Sequence, residues 1–134
     1  MLVPDEVPDV EGYVRTVIEA HRSATPERCG IDAWLFGGVW DGAITPPGGA
    51  RGRPLTWMNN RCPTSELRLI GAAIITPDGV WHDRETVSRP RAPRRSDAPP
   101  TLDEDTLERR WEEYARRLAA EHPDTLAVAL QVHT

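Results

Sequence analysis

The chain has 134 residues, a formal charge of −5 from 21 acidic and 16 basic side chains, and 39% hydrophobic residues. Its length suits one domain with a sizeable core, and its composition excludes collagen-like, coiled-coil and disulfide-scaffold classes. The acidic excess argues against general nucleic-acid affinity, which rests on neutralised phosphates.

Every basic residue except the four histidines is arginine, and Lys is absent. Beside abundant Ala, Gly, Pro and Val, this reads as the codon bias of a GC-rich genome. The first six residues, Met1-Leu2-Val3-Pro4-Asp5-Glu6, include acidic residues where a secretory signal is basic and then apolar. No stretch approaches the ~18 apolar residues of a membrane span. A soluble, cytoplasmic protein with no membrane partner is expected. Cys29 and Cys62 have no CxxC or CxxH spacing around them, and in that compartment two reduced thiols are expected.

Residues 9–22 carry Val10, Tyr13, Val14, Val17 and Ile18 at the spacing of one helix face, with Asp9 as N-cap. Thr25-Pro26 closes this helix. Residues 31–36 and 39–44 read as one strand bent at Gly37-Gly38, or as two strands. Residues 45–66, with Pro46, Pro47, Pro54, Pro63, Gly48-Gly49 and Asn59-Asn60, have loop chemistry. The apolar run 67–76 reads as a strand covered on both faces. Thr76-Pro77-Asp78-Gly79 is a turn signal, and 80–87 is its returning hairpin strand. The Pro-rich residues 88–100 are left without regular structure.

Thr101-Leu102-Asp103-Glu104 is a capping box that opens a helix with the stripe Leu107, Trp111, Tyr114, Ala115 and Leu118. Three acid–Arg pairs at i, i+4, including Glu112–Arg116, support it by ~0.2–0.5 kcal/mol each. His122-Pro123 ends it. In the last segment Leu126, Val128, Leu130 and Val132 alternate with Ala127, Ala129, Gln131 and His133, as in a strand with one buried face. The expected fold is α+β: one domain over 1–134, with flexible loops at 45–66 and 88–100. A mixed or antiparallel sheet of four to five strands would carry both helices on one face.

Three blocks carry a resemblance. They are Gly37-Gly38-Val39-Trp40-Asp41-Gly42, the run Thr76-Pro77-Asp78-Gly79-Val80-Trp81-His82, and the ending from His122-Pro123-Asp124 through the strand to His133. Together they resemble small uncharacterised proteins encoded by actinobacterial phages and their hosts. The resemblance implies a genomic setting and no particular reaction. It also implies a strand before the first helix, giving a ferredoxin-like βαββαβ order, for which Met1–Val3 is short. Some of those proteins carry a CxxC zinc knuckle between the first two blocks. Here that interval holds only Cys62, so no metal role carries over.

Two site hypotheses stand beside ordinary alternatives. His82, flanked by Asp83 and near Asp78, has the chemistry of a general base in a small hydrolase-like enzyme; the alternative is a strand histidine packing beside Trp81. No GxSxG or Cys/His signature accompanies it. No histidine stands at metal-ligand spacing, and no phosphate or cofactor loop matches, so neither metal nor cofactor is expected.

Trp40, Trp57 and Trp81, with Arg89, Arg91, Arg94 and Arg95, have the residue types of interface hot spots; the alternative is that the tryptophans fill a core short of Phe. The same arginines, with Arg84, would suit nucleic acid, but a solvated loop is the stronger reading. The expected role is a non-catalytic protein-binding factor of phage or mobile-element type, modulating host or defence machinery.

Overall fold

The structure is a computed structural model that describes residues 1–24, 31, 33–40, 43–44, 57–88 and 103–133. Strand β1 (Leu2–Pro4) leads into helix α1 (Val10–Ala24), followed by β2 (Ala33–Phe36), β3 (Arg61–Pro63), β4 (Ala73–Ile75) and β5 (Trp81–Asp83). A short helix α2 (Arg84–Ser88), the long helix α3 (Glu104–Ala120), β6 (Thr125–Val128) and β7 (Leu130–His133) complete it. The α+β class is as expected. Among the described residues, three small antiparallel sheets stand in place of the single one expected: β1-β6-β3, β2-β7 and β4-β5.

The two long helices follow their sequence signals. Asp9 Oδ1 accepts from the Gly12 N–H at the start of α1, which ends at Ala24, just before Thr25-Pro26. The cap of α3 differs from the expected box. Asp103 accepts from the Thr106 backbone N–H and hydroxyl at 2.8 and 3.0 Å, and these bonds hold its carboxyl below the ordinary carboxylate value. Thr101 lies outside the described residues. Of the expected ion pairs on α3, Glu112–Arg116 forms at 2.7 Å.

The helices do not share a face. Val10, Val14 and Ile18 of α1 pack with Val3, Ile75 and Val128. Trp111, Ala115 and Leu118 of α3 pack with Leu2, Ile74 and Ala127. Neighbouring strand residues therefore serve opposite cores, since successive side chains point to opposite sides of a sheet. Leu2/Val3, Ile74/Ile75 and Ala127/Val128 are apolar at both positions, so these strands need a helix on each side.

Four further expectations are corrected. The last strand changes partners at Ala129, and Ala127 is buried beside Val128, so it has two covered faces where one was expected. The bent strand beyond Phe36 is a turn: Gly37 and Gly38 adopt φ of 69° and 59°, and Gly38–Trp40 forms a 3-10 turn. In 67–76 only Ala73–Ile75 is strand, because α3 side chains take the carbonyls ahead of it: Trp111 Nε1 donates to Gly71 O at 2.7 Å and Arg116 Nη2 to Arg68 O at 3.3 Å. The returning strand stops at Asp83, where Arg84 begins α2 and reaches Glu104 on α3 at 2.9 Å.

The expected loop 45–66 is structured in its second half. Trp57–Asn59 and Thr64–Glu66 are 3-10 turns flanking β3. The 89–100 segment falls outside the described residues. Met1–Val3, short as it is, opens on a strand, because β6 supplies the partner.

Cys62, on β3, is buried against α3, and that burial, with the Glu66 carboxylate second, pushes its thiol pKa up. Cys29 lies outside the described residues. Because only the thiolate reacts readily, iodoacetamide at pH 7.5 is expected to leave Cys62 unmodified in the folded protein and to label it in 6 M guanidinium. Peptide mapping by mass spectrometry reads the difference. Equal labelling in both states would contradict the burial.

Candidate functional site: a hydrogen-bonded hairpin and an apolar groove

The β4–β5 hairpin brings Asp78 and His82 together through Thr76. The turn closes by Gly79 N–H to Thr76 O at 2.8 Å and Thr76 N–H to Val80 O at 3.0 Å. The Thr76 hydroxyl donates to Asp78 Oδ1, and this bond leads the causes that lower the Asp78 carboxyl pKa. Thr76 Oγ1 lies 3.5 Å from His82 Nε2, while His82 Nδ1 lies 2.9 Å from the Tyr114 hydroxyl. Both ring nitrogens of His82 therefore face neighbouring hydroxyls. The Asp83 carboxylate accepts from Trp81 Nε1 at 3.1 Å.

Helix α1 grips the same turn from the other side. The Tyr13 hydroxyl donates to Pro77 O at 2.9 Å, His21 Nε2 lies 2.7 Å from Gly79 O, and the His21 ring meets Trp81 edge-on at 5.7 Å. Burial, then the Asp78 charge, raises the Tyr13 pKa. The hairpin is thus tied to both long helices, and each of these groups has a positioning task. Tyr114 is the member that sequence reasoning missed. It sits on the expected apolar stripe of α3, and a hydroxyl there carries no period of its own.

We expect Tyr114→Phe to lower stability by about 0.5–1.5 kcal/mol, the net value of one hydrogen bond. His82→Phe should cost a similar amount, and the double variant less than the sum, because one bond is lost in each. Urea unfolding of the four proteins checks this, and strictly additive losses would refute the contact.

The four tryptophans whose side chains are described pack against the two cores. Trp34, Trp57 and Trp81 are half-buried against the α1-side core, and Trp111 is buried against α3. Arg61 lies over Trp57 at 4.8 Å, and Arg15 over Trp34 at 5.5 Å, so two indoles already hold an arginine of this chain. Trp57 and Trp81 do not form the exposed cluster that the hot-spot reading needs. The Trp40 side chain and Arg89, Arg91, Arg94 and Arg95 lie outside the described residues.

A second feature is not signalled by any motif. An apolar groove of about 380 Å³ runs between residues 67–75 on one side and 127–132 on the other, with Met1 and Trp81 also on its walls. That volume lies in the range of small-molecule and peptide pockets. Its lining includes Leu67, Leu69, Ile70, Ile75, Leu130 and Val132, and Leu69 is 45% exposed. The Met1 amine donates to Val128 O at 2.7 Å, and its burial lowers its pKa to about 5.

No family model, curated protein or solved structure matches the chain. The site must therefore be read from its own chemistry. Among the described residues, no group of three His, Cys, Asp or Glu is placed to hold a metal ion, and no helix is long and apolar enough to cross a membrane.

Proposed function

We propose that this chain is a non-catalytic binding protein that receives an apolar segment of another protein in the groove between 67–75 and 127–132. The groove itself carries the reading: among the described residues its walls are mostly apolar side chains, and a concavity of that kind marks a binding site. Hairpin histidine chemistry supports catalysis less well, because His82 is engaged with Tyr114 and Thr76 and does not line the groove. The resemblance to phage-encoded proteins makes host or defence machinery the first place to seek the partner.

The test uses the exposed wall. A partner retained by the wild-type chain should be lost to Leu69→Glu, whose helical circular dichroism should match wild type. Retention by the variant, or no partner for the wild type, would overturn the reading.

A further inference from the structure

The hydrogen-bond register of the strands says what form the occupant takes. Gly37 N–H donates to Ala129 O at 3.0 Å. With the β2–β7 register this makes 37/129, 35/131 and 33/133 the hydrogen-bonded pairs. Antiparallel residues alternate between bonding inward and pointing outward. The N–H and C=O of Leu130 and Val132 therefore point away from β2. On that same edge, two residues before Leu130, β1 is bound: Val128 N–H donates to Met1 O at 2.8 Å. Among the described residues, no strand pairs with Leu130 or Val132 on this edge.

The facing wall repeats the pattern. Thr76 N–H donates to Val80 O and Arg84 N–H to Ala72 O, so 72/84, 74/82 and 76/80 are the bonded pairs of the β4–β5 hairpin. The backbone groups of Ala73 and Ile75 point away from β5. Among the described residues, β4 has no other strand partner. Both edges line one apolar groove. Residues of both parities line each wall, as expected where a strand presents its edge as well as a face.

We infer that the groove is a strand slot, filled by an extended apolar peptide of a partner protein that pairs with the Leu130/Val132 edge in continuation of β1. Its other edge meets Ala73 and Ile75, joining β2-β7 and β4-β5 into one sheet. This inference rests on the groove-binding reading and adds the occupant's conformation. Strand addition of this kind draws affinity from main-chain hydrogen bonds and specificity from alternate side chains. Two facing edges need both sides of the incoming backbone, which only an extended chain supplies. Basic flanks suit it, since the protein carries a charge of −5.

The probe is a capped peptide, Lys-Val-Thr-Val-Thr-Val-Lys, added to the full chain. Amide exchange by NMR should slow at Ala73, Ile75, Leu130 and Val132, with little change at Ile74 and Gln131, whose amides are already bonded. Methylating two backbone nitrogens that face β7 should weaken binding about 5- to 100-fold. If the peptide binds but those four amides do not slow, or methylation has no effect, strand pairing is overturned while groove binding stands. Protection of the four amides in the free protein also overturns the slot. If neither the peptide nor a small apolar dye shifts the Trp81 indole N–H resonance, the groove-binding reading falls with it.

Discussion

Replacing Gly37 with alanine is expected to lower stability by about 2–4 kcal/mol, measured by urea unfolding. Gly37 has φ +69°, and an L residue held in that region costs ~1–2 kcal/mol. The added Cβ would also stand 2.6 Å from Cγ and Nδ2 of Asn60. Asn60 is fully buried, its N–H donates to Trp57 O, and its carbonyl accepts from Ala129 N–H at 2.8 Å. It has no room to yield, and crowding a packed interior adds ~1–3 kcal/mol. Gly71→Ala is the internal control. A Cβ there meets nothing within 4 Å, so it should stay within ~0.5 kcal/mol of wild type. A Gly37→Ala loss no larger than the Gly71→Ala loss would refute the account. Because Gly37 and Asn60 both bond Ala129, where the last strand changes partners, the variant should also disturb the groove wall that follows.

How far this architecture was legible depends on whether a local signal existed. Helix α1 was readable because Val10, Val14 and Ile18 repeat at helical spacing and Asp9 caps them. The turn at 76–79 was readable because Pro77 and Gly79 impose it. The opposite placement of the helices was latent in the doublets Leu2-Val3, Ile74-Ile75 and Ala127-Val128, each apolar at both parities. Reading the last segment as simple alternation hid that, since alanine at 127 counts as small as readily as it counts as buried.

The site was less legible than the fold. Asp78 and His82 lie four residues apart, so their meeting across a hairpin followed from the turn. Tyr114 joins them only because α3 packs on the face that carries His82, a tertiary fact. The groove had no signature at all. Its walls come from segments more than fifty residues apart, and a free strand edge is a property of backbone pairing that side-chain patterns do not encode. The tryptophans carry two tasks that residue type does not separate: Trp57 and Trp81 pack partly buried against the α1-side core, and Trp81 also lines the groove.

The second large effect is expected at Trp111, the side chain that ties α3 to the groove. Trp111 is 4% exposed, lies in the core with Ala115 and Leu118, and stacks on Tyr114 at 6.1 Å between ring centroids. Trp111→Ala should cost about 3–5 kcal/mol, through lost burial and the cavity left behind. Its indole N–H also donates to Gly71 O at 2.7 Å, which holds the wall formed by 67–72 against the helix. Trp111→Phe separates the two roles. It keeps most of the apolar volume and removes the donor, leaving a carbonyl whose residue is exposed and can return to water. Its stability loss should be smaller than that of the alanine variant, while affinity for the extended peptide should fall at least about threefold, because the Ala73–Ile75 edge is no longer set by its neighbour. Unfolding and peptide titration on the same samples read the two effects apart. If Trp111→Phe binds the peptide as tightly as wild type, the bond to Gly71 serves stability alone and the groove wall is held by other contacts.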